Sequence, residues 1–358
     1  MTGLRVVIVL FAIVTGVWLA TSRNSTPQAI PSDDGAVAPA SLGKRIIEGP
    51  FDGLAIQVYS ADDAVEKYGR LINEAAQMGA SCVMLSVNGY QERVESTRIQ
   101  TRLGECPPDD VWLELFARAH AAGLKVILMP KILLTRPNGK WRGKIQPPSW
   151  DAWFAQYGKF VLHFAELAEA GRVEMLIVGS ELISTEKHTD HWKTLIREVR
   201  QVFGGLLAYS ANWDHYTGIR FWGDLDVIGL TTYHKLSDTP GPALDELREA
   251  WKPIRDKILA WRDTVGLPIL FTEVGWCSQE GCSVEAWNYY RNEKATPAGH
   301  EEQRRNYQAF VETWINQPHV VGMIWWEWND APGGPDDFSY SPRNKPAERV
   351  LRRFFHRR

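Results

Sequence analysis

Little in this sequence speaks for nucleic acid. Lys and Arg number 40 against 43 Asp and Glu, the formal net charge is -3, and no basic stripe carries interleaved aromatics. The electrostatic footprint of a nucleic-acid binder is therefore missing. Cysteine is scarce, with four residues, and none stands in a Cys/His spacing that holds zinc. No glycine-rich fingerprint follows the first strand-like run, which argues against a dinucleotide fold. No short internal repeat is present, so a solenoid is not expected. The longest apolar run, residues 6–20, falls short of the roughly 20 residues a spanning helix needs. Neither a metal nor a cofactor is expected.

That apolar run follows a single positive side chain, Arg5, and is followed by the small residues Ala20, Thr21 and Ser22. Charge, apolar stretch and small residues in that order make a secretory signal pattern, cleaved or kept as an N-terminal anchor, over residues 1–22. Residues 23–44 are rich in Ser, Pro, Ala and Asp without apolar period, as a linker is. The folded part is expected over 45–358, in an exported chain: periplasmic, secreted or N-terminally anchored. Membrane contact is expected only through that anchor, and a monomer is expected. Behind an export signal an even cysteine count fits disulfides. Cys277 and Cys282 are close enough to staple one loop; Cys82 then pairs with Cys106 or stays a buried thiol. Tryptophan is abundant, with 16 residues. That is more than a core usually needs, and it suits stacking on sugar rings or other flat ligands.

From about residue 45 the chain alternates short apolar runs with amphipathic ones. Strands are expected over 54–58, 82–87, 125–129, 175–178, 206–210, 227–230, 268–272 and 321–326, with Pro130 breaking the third. Helices are expected over 61–78, 109–122, 151–170, 190–203, 243–265, 299–316 and 345–355, the fifth of these interrupted by Pro253. Gly79 and Gly123 follow two of them as C-terminal stops. Buried strands alternating with helices need parallel pairing and right-handed crossovers. Eight such units predict an α/β fold, a single closed (β/α)8 barrel, rather than an open sheet.

Chemistry in such barrels sits at the C-terminal ends of the strands. Here those ends carry Asn88, Lys131, Glu181, Asn212 and Trp213, Tyr233 and His234, Glu273, and Trp325 and Trp326. In MLIVGSE (175–181) and PILFTEVGW (268–276) an apolar run ends in a glutamate. Two glutamates just past buried strands are what a two-carboxylate site needs, one to protonate a leaving group and one to stay ionised. Taken singly, each is also consistent with an acid favoured at a helix N-terminus. Tyr233 can hydrogen-bond a neighbouring carboxylate or pack over the barrel mouth. Lys131 fits a binding role or a salt bridge within the mouth. Trp213, Trp276, Trp326 and Trp328 can line a cleft or fill the core, and Trp141 and Trp150 lie in or beside a long loop suited to outer contacts.

The stretches KVILMPK (125–131), VGSEL (178–182), YSANW (209–213), DVIGLTTY (226–233), FTEVGW (271–276) and DFSYSPRNKPA (337–347) together resemble clan A of the glycoside hydrolases. More closely, the chain resembles family 113, the β-mannanase-type (β/α)8 enzymes. The resemblance implies retaining hydrolysis of a β-glycosidic bond in a polysaccharide or oligosaccharide, with β-1,4-linked mannan as the expected substrate. It implies Glu181 as acid/base, Glu273 as nucleophile, and Trp326 beneath the reacting sugar. Asn88, Lys131, Ser180, Trp213 and Tyr233 are the further expected substrate contacts. Ser180 is a departure, because most of the clan places an Asn before the acid/base, where it meets the sugar 2-hydroxyl. Should Glu181 fail as the acid, Glu186 and Glu327 are the next candidates. The alternatives are another β-linked polymer, a glucan or an amino-sugar chain, and a non-catalytic carbohydrate-binding barrel.

Overall fold

The computed structural model describes residues 45–357, so the expected signal segment and the expected linker both lie outside the described residues. Eight parallel strands close into one barrel, each paired with its sequence neighbours and the last with the first. They are β1 (Gly53–Val58), β2 (Cys82–Gln91), β3 (Lys125–Leu134), β4 (Met175–Ser180), β5 (Leu206–Ala211), β6 (Val227–Thr231), β7 (Ile269–Val274) and β8 (Val320–Trp325). The helices are α1 (Ala64–Gln77), α2 (Asp109–Ala121), α3 (Trp150–Ala170), α4 (Thr189–Val202), α5 (Leu244–Val265), α6 (Pro297–Trp314) and α7 (Pro346–Phe355). Between β5 and β6 the crossover is made by two short 3-10 turns instead of an α-helix. The expected single (β/α)8 barrel is the observed fold.

The strand alternation separates two cores. Met84, Ile127, Ile177, Ala208, Leu270 and Ile324 face the barrel interior. Their chain neighbours, such as Leu85, Leu128, Val178 and Phe271, pack outward against the helices. This is the period of two expected of any strand. Each helix supplies a matching stripe; α1 buries Tyr68, Leu71, Ile72 and Ala75, spaced three and four apart. Gly79 follows α1 with φ +89°, a left-handed turn that a side chain would resist.

Two prolines act differently from expectation. β3 runs straight through Pro130, which pairs in register with Val87. The reason is direction. The Lys125 amide bonds to Ser81 on the β2 side, whereas the carbonyl of Val126 accepts from Glu174 on the β4 side. Even-numbered residues of β3 therefore face β4, and the β3–β4 ladder ends at Leu128. Pro130 lacks its N–H on the edge that has no ladder to complete. Likewise α5 continues through Pro253.

Tryptophan is mostly core here. Trp112, Trp153, Trp192, Trp251, Trp276, Trp314 and Trp325 are fully buried. Trp276 packs on Trp251, Tyr307 and Phe310. Trp328 is buried, donates to Glu74 at 2.9 Å and lies under the Arg343 guanidinium. Neither of these two lines a cleft, because the helical layer around so wide a barrel leaves gaps that only large rings fill. The expected disulfides are absent: Cys82, Cys106, Cys277 and Cys282 are free thiols. Cys82 belongs to the barrel interior and Cys106 to the outer layer. Burial pushes the Cys277 thiol up to about 11.

Candidate active site

Up the strands the barrel interior changes from apolar to polar. In β2 Met84 is followed on the same face by Ser86 and Asn88, and in β3 Met129 by Lys131; all are buried. Ser210 and Thr272 meet through their hydroxyls at 2.7 Å across β5 and β7. Asn88 pairs in register with Lys131, and Thr231 with Glu273. The polar layer is thus the C-terminal end of the barrel, where such folds place their chemistry.

Glu273 stands inside β7 rather than just past it, and it is buried. Register shifts in the β6–β7 and β7–β8 pairings interrupt the regular ladder around it. Tyr233, at the end of the chain segment leaving β6, donates to its Oε2 at 2.8 Å. Oε1 is buried and has no hydrogen-bond partner among the described residues. One oxygen is therefore fixed and the other is bare.

Glu181 follows β4 directly, at φ +53°, a left-handed backbone that a non-glycine residue adopts at a cost of about 1–2 kcal/mol. A register shift between Ile177 and Ser180 precedes it, and its amide donates to Ser210 at 2.8 Å. Arg142, from the loop after β3, donates to Glu181 Oε2 at 2.6 Å and to the Ser180 carbonyl at 3.1 Å. Burial nevertheless pushes the Glu181 carboxyl up to about 7; Arg142 opposes that shift and Glu273 adds to it. The same carboxyl can then donate a proton or take one near neutral pH.

Ser180 Oγ, Asn88 Oδ1 and Ser86 Oγ are also buried without a partner among the described residues. Asn88 Nδ2 has only a long contact, 3.5 Å, to Tyr90. Each such orphan costs about 1–3 kcal/mol, which a ligand rich in hydroxyls would return. Among the described residues Lys131 makes no direct salt bridge. Its ammonium donates to Gln57 Oε1 at 2.5 Å, and Gln57 in turn donates to Glu327. It also lies 4.5 Å from the centre of the Trp326 ring. Burial lowers its pKa to about 8, against the pull of Glu273.

Trp326 is half-buried just after β8, and the peptide bond to Glu327 is cis. Trp213 is half-buried after β5; its amide donates to Thr231 at 3.1 Å and its ring meets His234. Of the fallback acids, Glu186 is occupied by Tyr209, which donates to it at 2.8 Å, and Glu327 by Gln57 and Asn329. Sequence reasoning did not find Arg142 or Gln57. Arg142 lies in an aperiodic loop where only Trp141 drew notice, and Gln57 looks like one polar residue in a strand. Among the described residues no three His, Cys, Asp or Glu side chains converge as metal ligands would.

A closed (β/α)8 barrel whose C-terminal mouth holds two buried glutamates among hydroxyl, amide and indole groups has the build of a glycosidase. Residues 57–337 match the model of Glycoside Hydrolase Family 113, and the chain belongs to that family. It is similar to a family 113 β-1,4-mannanase solved as a complex, with 26% identity, a TM-score of 0.77, and 87% of this chain and 100% of that one covered. A family 113 β-mannanase from Alicyclobacillus acidocaldarius, solved with ManMIm, gives 26% identity and a TM-score of 0.77, covering 86% of this chain and 98% of that one. A β-glucuronidase from Ruminococcus gnavus shares the fold alone, at 11% identity and a TM-score of 0.58, over 86% of this chain and 50% of that one. No curated protein matches the sequence.

Proposed function

We propose that the chain is a retaining glycoside hydrolase that cleaves β-1,4-linked mannan or manno-oligosaccharides by double displacement. The bare oxygen of Glu273 attacks the anomeric carbon while Tyr233 holds the other oxygen and keeps the carboxylate aimed. Glu181, protonated, gives its proton to the departing glycosidic oxygen. A glycosyl ester on Glu273 results. Glu181, now ionised, takes a proton from water as the water attacks the same carbon and displaces the Glu273 carboxylate, so configuration is inverted twice and retained. The observation that carries this is the asymmetry of the two acids: one has a free nucleophilic oxygen, while the other is held by burial near neutrality.

Asn88, Ser180 and Lys131 would meet sugar hydroxyls, and Trp326 and Trp213 would meet sugar faces. Mannan is favoured by the β-mannanase relatives at 26% identity. Ser180, shorter than the Asn usual in the clan, keeps another β-linked polymer in contention, because this position is where the 2-hydroxyl is read. A reducing-sugar assay on mannan, β-glucan and amino-sugar polymers decides between them. NMR of the fresh product should show the retained anomer; the inverted one would end the two-step scheme. We also propose export, on the charge-then-apolar pattern of residues 1–22. Cell fractionation should place the chain outside the cytosol, and full-length cytosolic protein would count against it.

A further inference from the structure

The segment joining β7 to α6, residues 275–296, carries three aromatic side chains within four positions that face water. Trp287 is 46% exposed, Tyr289 58% and Tyr290 56%. Exposed rings so close together usually mark a binding surface. They are also joined to the catalytic mouth. Tyr289 meets Tyr290 at 5.2 Å between ring centres, and Tyr290 meets Trp287 at 6.5 Å. In the other direction Tyr289 meets Tyr340 at 6.4 Å, Tyr340 meets Tyr233 at 6.1 Å, and Tyr233 donates to Glu273. An unbroken file of rings therefore runs from the buried Glu273 to the surface.

The exposed rings stand on a rigid frame. Glu302 of α6, fully buried, accepts from the amides of Gly241, Gly281 and Ser283 at 2.9–3.0 Å. Gln279, also buried, donates to the Tyr289 carbonyl and accepts from the amides of Asn292 and Glu293. Tyr340 donates to the Ala286 carbonyl at 2.6 Å. Buried side chains thus pin the backbone on both sides of the three rings. Arg291, next to Tyr290, leans on this frame and is spent on Glu285 at 3.1 Å and on the Gly281 carbonyl. A surface pre-ordered in this way loses little entropy on binding.

We propose that Trp287, Tyr289 and Tyr290 form a platform on which an extended, neutral glycan chain lies beyond the sugar units being cleaved. The proposal rests on the glycoside hydrolase reading and deepens it. Flat apolar faces suit the apolar faces of pyranose rings, and the flanking Glu285, Arg291, Glu293 and Lys294 carry no net charge that would select a charged polymer. A second copy of the chain is a poorer occupant. Three half-exposed rings offer on the order of 300–400 Å², well below the roughly 800 Å² per partner of a stable interface.

The test uses the full chain with Trp287 and Tyr290 both replaced by Ala, and a second variant with Trp287→Phe and Tyr290→Phe. Initial rates are measured on soluble polysaccharide and on an aryl glycoside of one sugar unit. Mobility is followed in gels containing each polysaccharide of the panel, with Glu273→Gln added to stop turnover. The double Ala variant should raise KM on polymer about tenfold, the scale of losing stacked aromatic contacts, and should lose its retardation in the gel. Its rate on the aryl glycoside should stay within about twofold of wild type, and the Phe variant should recover most of both properties. Equal loss on polymer and aryl glycoside would overturn the proposal, since the loop would then only support the site. So would unchanged polymer kinetics and retardation, or a wild-type dimer that the Ala variant dissolves. If wild type cleaves none of the polymers yet the Ala variant loses retardation by one of them, the hydrolase reading fails and the platform stands.

Discussion

Glu181 and Glu273 sit in the same polar layer and differ only in what surrounds them. Tyr233 gives Glu273 one fixed oxygen; burial holds Glu181 near pH 7. Their replacements should therefore differ in kind. Glu273→Ala should abolish turnover on every substrate, and added azide should give the inverted glycosyl azide. Glu181→Ala should still form the glycosyl-enzyme from an activated aryl glycoside, whose leaving group needs no proton. There azide should give the retained product. If Glu181→Ala kept polysaccharide activity within about threefold of wild type, against the usual loss of about 10²- to 10⁴-fold, the assignment would be wrong.

Arg142 yields a second prediction at this scale. A guanidinium beside Glu181 favours the carboxylate, so its removal raises the pKa of the acid further. As the first step needs protonated Glu181, kcat/KM on natural substrate should fall as pH rises through about 7 in the wild type. In Arg142→Ala that alkaline limb should move to higher pH; a limb that stays in place or moves down would exclude this role. Tyr233→Phe should lower kcat by about 10- to 100-fold, the worth of a hydrogen bond to a charged group. Single-turnover kinetics with an aryl glycoside would locate that loss in the glycosylation step.

Among the elements, β4 and β5 do the most for the site. The register shift in β4 and the positive φ of Glu181 turn its side chain into the barrel mouth. Tyr209 of β5 ties that turn down, accepting from the Leu182 amide at 3.0 Å and donating to Glu186. Burial pushes the Glu186 carboxyl from 4.5 up to about 8. The folded protein then holds a proton that the unfolded chain has already lost between those two values. Stability contributed by this group is full below about 4.5 and falls as pH rises through about 8. Glu186→Gln keeps an acceptor for Tyr209 but cannot ionise. Thermal melts of wild type should drop by several degrees more than those of Glu186→Gln between pH 5 and pH 8. Parallel curves would show that Glu186 does not titrate in that window.

For the whole molecule, the barrel closes within the described residues. In the N-terminal approach Ile47 packs against the barrel-interior core and the Glu48 carbonyl accepts from Lys125 at 2.5 Å. A chain starting at Arg45 should melt cooperatively at the wild-type temperature and keep full activity on an aryl glycoside. A lower melting temperature would show that the preceding segment packs on the barrel.

Strand and helix order was legible in the sequence because period-two and period-3.6 patterns survive burial, and eight alternations leave few topologies. Glu181 and Glu273 were legible as a pair, because two acids each closing an apolar run at a strand end are what a two-carboxylate site needs. What the sequence determined by itself was therefore the barrel, its mouth, and most of the polar residues placed there. Tertiary structure alone decided the rest, since those features depend on neighbours far along the chain. Gln57 and Arg142 reach the mouth from β1 and from the loop after β3, joining Glu327 and Glu181. Pro130 is tolerated because the β3–β4 ladder has already ended at Leu128. The tryptophans of the sequence divide into core and surface only once α5 and α6 have packed against the strands: Trp251, Trp276 and Trp314 disappear beneath them while Trp287 remains in water. A residue's type sets what it can do, but its burial and partners are set by elements that meet only when the barrel closes.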